Sequence, residues 1–421
     1  MVEDGSQILK HGTFTFANDA GGEMGFFGGY GRYTTAGLTV VDPGAGGVMR
    51  FNIGAVSTTT GTFEVVSGTM EVNQGEQFNG AMIVTAPGRV DVRSHCDFVY
   101  GGSITGTGTM RFSDWHSQVS ATYDMAHTEV DHGHVTFAWE ITALGTLTVT
   151  SGTAEFVTGF EVPVASLALG GGGPRVAEVI GSDSIRVAGP STWVSGTLGG
   201  AGNTTFENGL TVSTAAEKTL EGRSLTCAGG TCTIAGPGAV VILIGSGTSV
   251  ENQAVLELTG DAGDGLGIGG GRFYNYGTLR RPAGSVGMGQ IDMDFINQGT
   301  VEAVAGTIGF RVFTQTTGTT RLAGGTLFAD VVSIWGGSLT GTGSITGSVE
   351  NFAAMAPGLS PGTIAISEAY QQIGSGGRYE VELGGTAPGT FDRTVVGGAV
   401  ALSGTLAVSL VNGYVPVAGD T

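Results

Sequence analysis

The chain has 421 residues, a formal charge of −19 and only two lysines, Lys10 and Lys218. That charge has the wrong sign for reading a nucleic-acid backbone or for attraction to an anionic membrane, and it suits solubility by self-repulsion. Glycine supplies 79 residues, but proline is scarce at 11, no three-residue glycine period occurs and apolar residues reach 40%, which excludes collagen and argues against disorder.

From the start, Met1-Val2-Glu3-Asp4-Gly5 has neither a basic n-region nor an apolar h-region. The reading taken is that a leader has been removed and that the chain belongs to a longer protein. Residues 1–50, with Gly21-Gly22 and Gly28-Gly29, are the least regular and form an irregular β-rich start, a candidate cap. From there Gly-Thr pairs open alternating runs. Gly61-Thr62 precedes Phe63-Glu64-Val65, Gly68-Thr69 precedes Met70-Glu71-Val72, and Gly145-Thr146 precedes Leu147-Thr148-Val149. Alternation at period two is the strand signature, and glycine supplies the positive φ of tight corners. Residues 213–220 have some helical composition but are short. The apolar run at residues 239–244 reads as a buried strand, far below the roughly 20 residues of a membrane helix. Cys227 and Cys232 flank Ala228-Gly229-Gly230-Thr231 and either close a small hairpin disulfide or remain two buried thiols; Cys96 has no evident partner.

Spacing decides the architecture. Asn275-Tyr276-Gly277-Thr278 resembles Asn297-Gln298-Gly299-Thr300, starting 22 residues earlier. Gly318-Thr319 and Gly337-Ser338 follow at steps of 19. A period near 20 predicts an all-β, parallel β-solenoid (β-helix) over residues 51–345; counted over all residues up to about 345, rungs of roughly 21 residues number about 16. Its open sheet ends need covering.

Residues 346–421 read as a C-terminal β-rich tail unit. Gly341-Thr342-Gly343-Ser344, Val349-Glu350-Asn351 and Pro357-Gly358-Leu359-Ser360-Pro361-Gly362-Thr363 are followed by Tyr379-Glu380-Val381-Glu382-Leu383, Phe391-Asp392 and Gly404-Thr405-Leu406. Over roughly 80 residues this resembles the tail unit of bacterial autotransporter-type passenger proteins and related large β-helical surface proteins. Phe391 stands where that family usually has tyrosine. The resemblance implies a secreted or cell-surface location, and a tail that runs on past Thr421.

Chemistry-bearing residues concentrate at 95–134, which holds His95, His116, His127, His132 and His134 with Asp97, Asp114, Glu129 and Asp131. Imidazole with carboxylate suits zinc. His95 and His116 lie one rung period apart and can stack. On a straight strand, however, His127, Glu129 and Asp131 face one way and His132 and His134 the other, with Gly133 too late to turn the chain. A metal needs several converging ligands, so the reading taken is a solvated polar ladder, and no metal or cofactor is assigned. The stretch from Asp261 to Gly269 is one imperfect copy of a calcium-binding nonapeptide, read as a loop, and Gly267-Ile268-Gly269-Gly270-Gly271 lacks the Lys-Ser/Thr of a phosphate loop. Gly358-Leu359-Ser360-Pro361-Gly362 has the letters of a nucleophile elbow, but Pro361 has no N–H for an oxyanion. Trp115 and Trp139 could align across rungs, with packing the safer reading for them and for Trp193 and Trp335.

The function expected is a secreted or cell-surface structural, adhesin-like stalk that presents a binding surface to a host or neighbouring cell or a glycan. No residue is catalytic, no nucleic acid is bound and no part inserts in a membrane. The alternative is a polysaccharide-active β-helix enzyme, a lyase or hydrolase, marked by paired acids or a lysine/arginine cluster in a groove. A third reading, ice or mineral binding, requires a flat, regular threonine face.

Overall fold

The computed structural model describes residues 7–10, 12–17, 23–27, 32–52, 55–56, 61–73, 76–171, 176–236, 240–244, 247–260, 264–266, 271–358 and 361–420. Among these there is no helix, and so none long and apolar enough to cross a membrane. The strands stack in parallel as a β-solenoid of about 15 turns, with rungs about 20 residues apart, the architecture the Gly-Thr spacing predicts. The calcium-like stretch, the glycine run after it and the elbow-like serine lie wholly or largely outside the described residues. The chain forms two compact units, Met1–Glu207 and Asn208–Thr421.

In the first unit, register places like residues over like. Met49 pairs with Met70, Met70 with Val90 and Val90 with Met110, all buried. Each rung therefore buries its inward side chains only against its neighbours, which makes stability a property of the stack. Aromatic rings run through this core. Phe51, Phe63, Phe78 and Phe98 contact one another in sequence at 5.9, 5.6 and 5.3 Å between centroids. A second group centres on Phe137, which stacks on Phe156 at 5.0 Å and meets Tyr123 edge-on at 5.1 Å. Cys96 is buried in the same core.

The second unit explains the repeated glycines. Thr278 N–H donates to Ala254 O (2.7 Å), Thr300 N–H to Gly277 O (2.8 Å) and Thr319 N–H to Gly299 O (2.8 Å). A Cβ on Gly299 would collide with the Gly277 carbonyl, and one on Gly277 with that of Ala254. At these two corners the requirement is close approach of stacked backbones, whereas Gly318 and Gly337 also take positive φ, +77° and +75°. The corner rule read from the sequence is right about the residue and incomplete about the cause.

Beside these corners runs a buried amide column. Asn252, Asn275, Asn297 and Gln315 occupy one register position. Asn252 Nδ2 donates to Asn275 Oδ1 (2.7 Å), Asn275 Nδ2 to Asn297 Oδ1 (2.7 Å), and Asn297 Nδ2 to Gln315 Oε1 (3.1 Å). All four are fully buried. Burying a polar group costs free energy unless it is bonded, and an amide, with donors and an acceptor, can be bonded by its own kind on both sides; at the end of the column the buried Oδ1 of Asn252 has no partner among the described residues. The column is interrupted by Ile334 and resumes at Asn351. Elsewhere in this unit Cys227 and Cys232 form a disulfide, Cα–Cα 6.3 Å, across the corner between the strands Ser224–Cys227 and Thr231–Ile234, which pair in parallel with neighbouring rungs and not with each other as the hairpin expected from sequence. Lys218 is buried, its Nζ donating to Thr214 O and Ala216 O at 2.8 and 2.7 Å, and desolvation lowers its pKa.

From Gly341 onward the same parallel pairing continues, Met355 with Tyr379 and Tyr379 with Leu406. The Phe391-Asp392 pair has a physical role here. Asp392 Oδ1 accepts from Gly362 N–H and Oδ2 from Glu382 N–H, both at 2.8 Å, so one carboxylate ties the Pro361-Gly362 turn to the strand Arg378–Leu383. Leu406, Val408 and Leu410 alternate as the sequence indicates, but they are exposed, because nothing among the described residues stacks on the strand Thr405–Leu410.

Candidate binding surface

One sheet of the first unit is built from Cys96–Phe98, His116–Val119 and the ends of Thr122–Phe137 and Ile141–Phe156. Its inward positions are Phe98, Val119, Phe137 and Phe156. The alternating positions must therefore face out, and they carry the polar residues that the sequence singles out.

At the leading edge of these strands His95, His116 and His134 form a column, with ring centroids 6.2 and 4.5 Å apart. The next outward column is Asp97, Gln118, Thr136 and Glu155. The two columns are cross-linked. His95 Nε2 lies 3.5 Å from Asp97 Oδ1, His116 Nε2 3.0 Å from Thr136 Oγ1 and His134 Nε2 3.1 Å from Glu155 Oε2. The stacking of His95 on His116 follows their rung spacing.

His134 joins the column for a reason that straight-strand geometry misses. His132 takes a φ of +70°, so the chain turns there, one residue before Gly133. Asp131 and His132 consequently both point outward, and His134 returns to the outward set on the next sheet. The straight-strand expectation for His132 and His134 is thereby corrected. His127 lies elsewhere, between Thr109 and Thr146, and Asp114 accepts from Trp115 N–H. Among the described residues, no group of three or more His, Cys, Asp or Glu is placed to hold a metal ion.

Burial, then the neighbouring imidazoles of His134 and His95, lower the pKa of His116 below 6.5. Burial opposes ionisation of Glu155, but hydrogen bonds from Thr136 and His134 outweigh it and lower its pKa. Both shifts have one consequence in acid. A histidine whose folded pKa is depressed destabilises the fold as pH drops from its unfolded value through its folded one. The Glu155 contribution, present above its unfolded pKa, is lost as pH falls through the folded value. In an NMR titration His116 will protonate below pH 6.5, and its midpoint will rise in His134→Ala; an unchanged midpoint would refute mutual repulsion as a cause.

The trailing edge carries aromatics. Tyr100 is 71% exposed and Trp139 38% exposed, and their rings meet edge to face with centroids 4.7 Å apart. Trp115 lies at the opposite end of the strands, before His116, so Trp115 and Trp139 do not align. Trp193 is buried, and Trp335 stacks on Phe352 at 4.5 Å in the second unit.

Acids and arginines converge on another outward position of the first unit. Arg50, Glu71, Asp91, Arg111 and Glu129 occupy one register column. Arg50 binds Glu71 (2.8 Å), and Arg93 bridges Glu71 (2.9 Å) and Asp91 (2.8 Å). Arg111 pairs with Asp131, and Arg89 with Glu129. The Glu71 and Asp91 side chains are only 5% and 2% exposed, and each is held by a guanidinium. In the second unit Glu257, Arg280, Glu302 and Arg321 form a second such column, here with acid and arginine in strict alternation. A threonine column, Thr278, Thr300 and Thr319, continues as Ser338 and then Ala354, too short and narrow for a regular flat face. These ladders escaped the sequence reading, although Phe-x-Asn-x-Gly-Thr at 273–278 and 295–300 is a legible signal for the amide column.

Comparison with known protein families, curated proteins and solved structures returns no match for this chain.

Proposed function

We propose that this chain is a secreted or cell-surface, adhesin-like β-solenoid that acts as a structural spacer and presents a binding surface. The observation that supports it best is the way rungs are fastened. Within each unit a parallel backbone ladder joins rung to rung and is doubled outside by a column of ion-paired arginines and carboxylates, and in the second unit also inside by the amide column. Separating two rungs would break all of these together, which suits a protein that must hold its form under load while its outward side chains contact a partner. The autotransporter-type affiliation belongs to the same proposal. It rests on the tail motif, whose spaced elements, Pro361-Gly362 and Asp392, bond to one another.

A specific observation also favours the enzyme alternative, namely the Glu71/Asp91 pair among Arg50, Arg93 and Arg111. Burial and mutual pairing favour a structural role for that cluster. Antibody against the folded chain is expected to label intact, unpermeabilised cells that make the protein, or to detect it in their medium. Confinement to the lysate would overturn the display reading. Release of reducing or unsaturated ends from polygalacturonate or xylan by the purified chain would replace it with the enzyme.

A further inference from the structure

We infer that the outward sheet bounded by the histidine column and the Tyr100–Trp139 corner is a binding site for a neutral, linear glycan; this rests on the reading of the chain as a presenting surface.

The first observation is the aromatic pair. Tyr100 and Trp139 belong to alternate rungs, and the rung between them offers only Ser120 and Ala121 at that place. The rings therefore reach over small residues to touch each other, yet Tyr100 remains 71% exposed. Aromatic faces left in water beside a polar sheet are the kind of surface on which a sugar ring lays its C–H face, and Tyr and Trp are the residues that dominate binding energy when covered.

The second observation is the polar sheet itself. Gln118, Thr136 and the three imidazoles recur once per rung, at about 4.8 Å. A periodic row of hydrogen-bonding groups fits a ligand that repeats its own hydroxyls along its length, and a homopolymeric glycan does so. Gln118 Nε2 already donates to a hydroxyl, Ser120 Oγ, at 2.9 Å. The third observation is charge. Asp97 and Glu155 lie on the sheet, and Glu140 is exposed immediately after Trp139. Asp97 and Glu155 are each held by an imidazole, and residues 95–100, 116–121 and 134–140 contain no lysine or arginine, so the lining offers an acidic polymer no fixed cation and suits an uncharged chain.

The test is affinity electrophoresis of the 421-residue chain in gels containing hydroxyethylcellulose, mixed-linkage β-glucan, galactomannan or dextran, with polygalacturonate as the acidic control. At least one neutral polymer is expected to retard the protein. Trp139→Ala and Tyr100→Ala are expected to weaken that binding by about tenfold or more, with Trp139→Phe retaining part of it. Trp335→Ala, on the other unit, is expected to leave it unchanged. Circular dichroism and the thermal midpoint show that each variant is folded. Binding to no neutral polymer, binding to polygalacturonate alone, or equal retardation of folded Trp139→Ala would overturn the assignment. So would capture of a protein partner through Tyr100 and Trp139 with no glycan retardation. If the chain still labels intact cells in any of these cases, the display reading stands and only the glycan assignment falls.

Discussion

Asn275→Ala will lower the stability of the second unit by about 3 kcal/mol, and Asn275→Asp by at least as much. Asn275 Nδ2 serves Asn297 Oδ1 (2.7 Å) and Thr300 O (2.9 Å), while its Oδ1 receives Asn252 Nδ2 (2.7 Å). Alanine removes the links to the rungs on both sides and leaves buried acceptors and a donor without a partner, and it is that desolvation which costs most. Aspartate keeps the shape but has no donor, and it places charge against oxygen acceptors in a fully buried site. The pair of substitutions thus separates hydrogen bonding from packing. Amide hydrogen exchange is the direct readout. Protection should fall first in Ser249–Asn252, Arg272–Asn275 and Met288–Asn297, because stability in a stack is set between neighbours. A loss below about 1 kcal/mol for both variants would show that the amide column is incidental to stability.

Phe137→Ala will destabilise the first unit by about 3–5 kcal/mol. Phe137 is fully buried against Phe156, Tyr123 and Phe112, with centroids at 5.0, 5.1 and 6.2 Å. The backbone ladders on both sides hold these neighbours at fixed spacing, so they cannot collapse into the space left behind. Tyr100→Ala, just beyond the strand Cys96–Phe98 whose Phe98 lies in the same inward column as Phe137, should change stability by no more than about 0.5 kcal/mol, since its ring is largely in water. Denaturant or thermal unfolding of the two variants side by side checks both numbers. A small effect of Phe137→Ala would mean that the rungs can close over a lost ring.

These expectations also mark how far the sequence carries. Periodic Gly-Thr pairs before alternating runs suffice for a parallel solenoid, because a rung of about 20 residues has a corner where stacked backbones approach closely and favour glycine, and an inward face filled mainly by apolar residues. His95 and His116 could be placed together from their separation alone, since within a few regular rungs sequence distance is spatial distance. Where the rungs become irregular that translation fails. His134 reaches the same column only because His132 turns with a positive φ, a conformation that histidine rarely takes and that its letter does not announce. The sequence leaves Cys227 and Cys232 open between a disulfide and two thiols, and their 6.3 Å Cα separation across a rung corner decides it.

By itself, then, the sequence determined what repeats: strands, corners, rung length and the acidic, glycine-rich character of the surface. Only the tertiary structure decided which residues meet across rungs: the amide column, the Arg/carboxylate ladders, the Tyr100–Trp139 corner and the interlock of Asp392 with Gly362. The reason is register. Rung lengths vary about their mean, a shift of one residue exchanges inward for outward positions, and the register is set by packing and hydrogen bonds summed over the stack rather than by any one repeat.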